Sequence, residues 1–141
     1  MSHVPHSKNA AAGTESPYKS TGGPARILNA LRYSLRGLTV AWQLESAFRQ
    51  ELALAVVLLP IALLLPLGTL EKLALIAVVM LVLIVELINS AVEAVVDRIS
   101  LEHHQLAGRA KDLGSAAVFL ALVLCGITWT LIAGPVLLSL F

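Results

Sequence analysis

Hydrophobic and polar positions divide the chain into a polar segment, one amphipathic segment and three apolar stretches. Residues 1–24 carry Gly13, Gly22, Gly23, Pro5, Pro17 and Pro24 among serines and threonines, with no apolar run. Such a segment cannot offset the entropy of ordering and is expected to be a disordered tail, without the apolar core and cleavage site of a signal peptide. From residue 26 to 45, Leu28, Leu31, Leu35, Leu38 and Trp42 recur at spacings of 3, 4, 3 and 4, one stripe of a helix, while Arg32, Arg36, Thr39 and Gln43 occupy another side. Basic residues opposite a leucine stripe that ends in Trp suit a helix lying in a membrane surface. Packing on protein alone is the alternative, and the three apolar stretches beyond residue 45 favour the membrane. Residues 52–67 run for 16 positions without a charge and contain Pro60 and Pro66. They reach the roughly 20 residues of a spanning helix only with their flanks, 48–70. Residues 73–96 give 24 positions, and residues 113–141 carry no charge at all. The expected architecture is an all-α integral membrane fold: a surface helix at about 25–45, then spans at about 48–70, 73–96 and 113–138, with turns at 68–72 and 97–112.

Composition agrees. Of 141 residues, 57% are hydrophobic and 13% charged, far from a soluble enzyme. A net charge of +1 excludes the broad basic surface of nonspecific nucleic-acid binding, and the single cysteine, Cys125, excludes an intrachain disulfide or a multi-cysteine zinc site. Cys125 lies among aliphatic residues and reads as packing. Basic residues also set orientation. Arg26, Arg32, Arg36 and Arg49 precede the first span and Arg98, Arg109 and Lys111 flank the second turn, whereas the first turn has only Lys72. By the positive-inside rule the N-terminus and the 97–112 turn face the cytoplasm and the C-terminus lies outside.

The second span breaks the membrane rules. Glu86, Asn89, Glu93 and Asp97 sit at offsets 0, 3, 7 and 11, which puts all four on one helix face. Taking Asp97 as the cytoplasmic edge, Glu93 lies about 6 Å and Glu86 about 16 Å inward at ~1.5 Å per residue. Ionisable groups at such depth are costly and are functional candidates by default. The bland alternative is that they hold helices together by hydrogen bonds or an ion pair, but no Lys or Arg lies between Lys72 and Arg98. A hard divalent ion such as Mg²⁺, held by one or two carboxylates plus phosphate oxygens, suits this residue set better than zinc.

Residues 86 to 97 read Glu-Leu-Ile-Asn-Ser-Ala-Val-Glu-Ala-Val-Val-Asp, which resembles the signature of the prokaryotic diacylglycerol kinase family, small integral membrane lipid kinases. The similarity extends to Ala41-Trp42, Glu45, Ala47-Phe48-Arg49-Gln50-Glu51 and Gly108-Arg109-Ala110-Lys111-Asp112-Leu113-Gly114-Ser115-Ala116-Ala117, over roughly residues 25 to 134. The resemblance implies a homotrimer in the bacterial inner membrane, with sites shared between neighbours, transferring the γ-phosphoryl of MgATP to diacylglycerol. It implies Glu86 as catalytic base, Glu45 and Glu93 as metal ligands, and Asn89 and Asp97 as supports. ATP contacts would come from Arg26, Tyr33, Glu45, Glu93, Glu102, His103, His104, Lys111 and Asp112. Lipid contacts would come from Arg26, Ala30, Leu31, Arg32, Tyr33, Ser34, Leu35, Thr39, Val40, Ala41 and Trp42 on the surface helix. Ala47, Phe48, Arg49, Gln50, Glu51, Glu86, Ser115 and Trp129 would supply the others. His103 stands where many relatives carry an aromatic residue, and the tail before Arg26 is longer than the family core requires.

The chain holds no Gly-x-x-x-x-Gly-Lys-[Ser/Thr] loop and no protein-kinase motif. Phosphoryl transfer needs instead a metal, cations and a placed base. Arg98, Arg109 and Lys111 can supply the cations, although positive-inside charge alone also explains them, and Trp129 by itself reads as an interface anchor. Two other readings stand beside diacylglycerol: the same chemistry on a polyprenol such as undecaprenol, and a non-enzymatic protein whose buried glutamates carry protons or ions.

Overall fold

A computed structural model describes residues 24–99 and 105–139, with side chains from 26 to 98 and from 105 to 139. The expected tail, apart from Pro24, therefore lies outside the described residues. Four helices follow one another: α1 (Pro24–Leu44), α2 (Ser46–Leu64), α3 (Thr69–Ile99) and α4 (Gln105–Ser139). The chain divides into two units, Met1–Arg36 and Gly37–Phe141, with the division inside α1.

The described part of the first unit is the first half of α1. Its leucines Leu28, Leu31 and Leu35 are all more than half exposed, and the arginines on the other side are exposed too. An uncovered apolar stripe is what a helix lying on lipid requires. Ser34 Oγ donates to Ala30 O at 3.0 Å, folding its hydroxyl back onto the helix.

In the second unit, α3 is the common partner of α2 and α4. Ala55 of α2 and Ala121 of α4 are buried with Val79, Val82 and Leu83 of α3, alongside Ala41, Phe48 and Cys125. A second cluster joins Ala62, Leu65, Leu75 and Ala133. Alanines at the contacts let helix backbones approach closely, which is how packing replaces the hydrophobic effect in lipid. α2, α3 and α4 are each long and apolar enough to cross a membrane. At ~1.5 Å per residue α3 and α4 exceed the roughly 30 Å hydrocarbon thickness, so both extend beyond it.

Two boundaries differ from the sequence expectation. The first span ends at Leu64 rather than near residue 70, because Leu65 is extended (φ −58°, ψ 142°) ahead of Pro66, which disfavours the helical region for its predecessor. The turn is then closed from both sides. Glu71 Oε2 accepts from Gly68 N at 2.8 Å, and Lys72 Nζ donates to Leu63 O at 2.7 Å, satisfying backbone groups that helix ends leave open. The second turn is shorter than 97–112, since α3 continues to Ile99 and α4 starts at Gln105. Charge marks where a helix leaves the membrane, not where it stops.

Candidate functional site

α3 carries the site because helical spacing brings Glu86, Asn89, Glu93 and Asp97 to one face. Glu86 is only 4% exposed, in the middle of an apolar helix. One turn onward, Asn89 Nδ2 donates to Glu93 Oε1 at 3.1 Å, fixing that carboxylate. Further along, Asp97 Oδ1 is paired with Lys111 Nζ of α4 at 2.6 Å. Lys111 also lies within electrostatic reach of Glu93.

Two more carboxylates join from the start of α2. Glu45 occupies the extended residue between α1 and α2 (φ −102°, ψ 113°), and its side chain makes no capping bond to α2. The bend is tied by Arg49, whose Nη1 donates to Trp42 O at 3.1 Å and Gln43 O at 3.3 Å. The carboxylate of Glu86 lies within electrostatic reach of Glu93 and Glu45. Glu51, about one and a half turns into α2, also lies within electrostatic reach of Glu86, and its Oε2 is buried without a hydrogen-bond partner.

Glu45, Glu51, Glu86 and Glu93 thus gather in one unit, and none of the four makes an ion pair among the described residues. Like charges in a poorly hydrated site repel strongly, so the set calls for a cation. Among the described residues no three His, Cys, Asp or Glu side chains form a ready-made metal cage. Oxygen-only donors, few in number and short of a full shell, suit a hard ion that takes its remaining ligands from phosphate and water.

The other expected residues divide into groups. Arg26, Ala30, Leu31, Arg32, Tyr33, Ser34 and Leu35 belong to the first unit and are exposed on α1. In the second unit Thr39, Val40, Trp42, Ala47 and Gln50 are exposed, while Ala41 and Phe48 are core residues. Asp112 and Ser115 are exposed on α4. Trp129 packs against both apolar clusters with its Nε1 enclosed and unpartnered, which is not the posture of an interface anchor. Glu102, His103 and His104 lie outside the described residues. Cys125 is buried, as expected of a packing residue.

A family model, prokaryotic diacylglycerol kinase, matches residues 32–133. The chain belongs to the prokaryotic diacylglycerol kinase family. It is 54% identical over 117 residues to a diacylglycerol kinase of Pseudomonas aeruginosa, covering 83% of this chain and 95% of that relative. It is 50% identical over 112 residues to the diacylglycerol kinase of Haemophilus influenzae, covering 79% and 94% of the two chains. Against the diacylglycerol kinase of Escherichia coli K12 the identity is 50% over 113 residues, covering 80% and 93%. Membership in a kinase family implies a nucleotide and a metal cofactor, and the oxygen-donor set around Glu86 fits a metal of that kind.

Sequence reasoning missed one member of the cluster in its proper place. The resemblance gives Glu51 only as a lipid contact, yet its carboxylate lies within electrostatic reach of Glu86. The available signal is a carboxylate that, with Arg49, is confined to the first two turns of an otherwise uncharged apolar helix.

Proposed function

We propose that the chain is an ATP-dependent diacylglycerol kinase of the bacterial inner membrane, transferring the γ-phosphoryl of ATP to the free hydroxyl of diacylglycerol to give phosphatidic acid and ADP. The observation that carries this reading is the buried Glu86 beside Glu45 and Glu93, at the centre of a chain half identical to diacylglycerol kinases. Relatives of this name support diacylglycerol over undecaprenol as acceptor.

Glu86 is the base. It takes the proton of the lipid hydroxyl as that oxygen bonds to the γ-phosphorus and the bond from phosphorus to the ADP oxygen breaks. Its depth on α3 suits an acceptor that arrives from the bilayer. Glu45 and Glu93, with Asn89 orienting Glu93, hold Mg²⁺ on the nucleotide; bound there, Mg²⁺ supplies charge neutralisation on the phosphate oxygens. Lys111, placed by Asp97, meets the phosphates and is joined in nucleotide binding by Asp112, Arg26, Tyr33, Glu102, His103 and His104. The exposed apolar stripe of α1 contacts lipid, and in the second unit the exposed Ala47, Gln50 and Ser115 are lipid contacts. The N-terminus lies in the cytoplasm, and three chains assemble so that the acidic face of α3 is covered by protein, since charged groups at membrane depth require protein or water around them.

Product analysis tests the proposal. Purified chain in mixed micelles with MgATP is given diacylglycerol or undecaprenol, and phosphatidic acid is the expected product. A strong preference for undecaprenol would overturn the acceptor assignment, and no phosphorylated lipid from either would overturn the reaction.

A further inference from the structure

We infer that Gly114 is a positioning residue for the metal carboxylate Glu93, acting through Asn89; the inference rests on the metal role proposed for Glu93. Gly114 sits in α4 where that helix crosses α3. A Cβ added there would collide with Asn89 Oδ1 and lie 3.3 Å from Asn89 Cγ and 3.9 Å from its Cβ. The three atoms nearest that position all belong to Asn89, so it is this one amide that a methyl group would meet first. The Asn89 amide is thereby held between two neighbours. Its Nδ2 reaches Glu93 Oε1, and its Oδ1 is buried against the glycine with no hydrogen-bond partner.

The colliding atom is the far end of a flexible side chain rather than backbone, so alanine at 114 need not separate the helices. Rotation of the Asn89 amide is enough, and that rotation breaks the bond to Glu93. Alanine is also the better helix former. Gly114→Ala should therefore keep or raise stability while loosening the carboxylate that binds metal. Loss of a partner that orients a metal ligand typically weakens metal binding about 10- to 100-fold.

The test uses the full chain in detergent micelles, with Mn²⁺ as a spectroscopic probe titrated in the presence of a non-hydrolysable ATP analogue, and thermal unfolding recorded alongside. Gly114→Ala, Asn89→Ala and the double variant should each weaken Mn²⁺ binding by a similar factor. The two changes should not add, because the second has nothing left to disrupt. The unfolding temperature of Gly114→Ala should equal or exceed that of the parent. Parent-like Mn²⁺ affinity in Gly114→Ala overturns the inference. So do losses that multiply in the double variant, or a fall in affinity that tracks a fall in unfolding temperature, since both signify helix packing instead. Glu93→Gln serves as the control: if it binds Mn²⁺ like the parent, the metal role of Glu93 fails, whereas weakened Glu93→Gln beside an unaffected Gly114→Ala rejects the positioning role alone.

Discussion

Glu86→Gln separates the base role proposed for this residue from the nucleotide site. Glu86 and Glu93 are about 10.5 Å apart along the axis of α3 at ~1.5 Å per residue, whereas two oxygens on one Mg²⁺ stand no more than about 4 Å apart across bonds of ~2.1 Å. The proposal therefore gives the two carboxylates different tasks, with Glu93 nearer the Arg98 end of α3 and Glu86 closer to its middle. Glutamine fills the same space, so the packing around a residue 4% exposed is kept, and removing one of several mutually repelling charges does not weaken the fold. What goes, in the proposed mechanism, is the proton acceptor. Loss of a general base lowers the chemical step by about 10²- to 10⁴-fold, or roughly 3 to 5 kcal/mol of barrier at about 1.4 kcal/mol per tenfold. Glu86→Asp keeps the charge but draws it back by about 1 Å, and a displacement of that size costs up to about 10²-fold. The assay is turnover number in mixed micelles at saturating diacylglycerol, with ATP-analogue affinity and unfolding temperature measured in parallel. The expected result is a collapsed turnover number with near-parental nucleotide affinity and unchanged or higher stability. A variant that loses nucleotide affinity but keeps its turnover number at saturating ATP would refute the reasoning and make Glu86 a nucleotide ligand.

Glu45→Gln and Glu93→Gln should each abolish turnover while the protein still inserts and assembles, checked by radiolabel transfer and gel filtration; normal Mg²⁺ dependence in either would remove that residue from the metal site. Asp97→Asn should raise the apparent KM for ATP by releasing Lys111, with little change in unfolding temperature because the pair is largely exposed; an unchanged KM would deny Asp97 its positioning role. Leu75→Ala should lower stability by about 2 to 5 kcal/mol in a denaturant titration, since the side chain is fully enclosed, yet leave turnover intact at low temperature. A reporter fused after Phe141 should be active outside the cytoplasm, and cytoplasmic activity would invert the topology.

Which parts of this structure could be read in advance depends on how each is encoded. The helices of the second unit are written locally, in apolar runs that only a helix can carry through lipid, and α1 is written in its leucine stripe. The face holding Glu86, Asn89, Glu93 and Asp97 needs nothing more than the helical period. Helix ends were less legible. Residues 105–112 are polar enough to read as a turn, yet form the first turns of α4. Contacts between helices were not legible from spacing at all: the pairing of Lys111 with Asp97, the approach of Glu51 to Glu86, and the closeness of Gly114 to Asn89 each depend on the crossing of two helices. The resemblance had named most of these residues without saying which touch.

The central claim, that the chain moves the terminal phosphoryl of ATP onto a lipid hydroxyl, is tested most directly by following the label. Purified protein in diacylglycerol micelles is supplied with ATP labelled at either the γ or the α phosphate, with and without Mg²⁺, and the lipid fraction is counted. Label is expected in phosphatidic acid from γ-labelled ATP alone, dependent on Mg²⁺ and all but lost in Glu86→Gln. Unlabelled lipid from the folded parent protein, or lipid labelled equally well by Glu86→Gln, would contradict the claim.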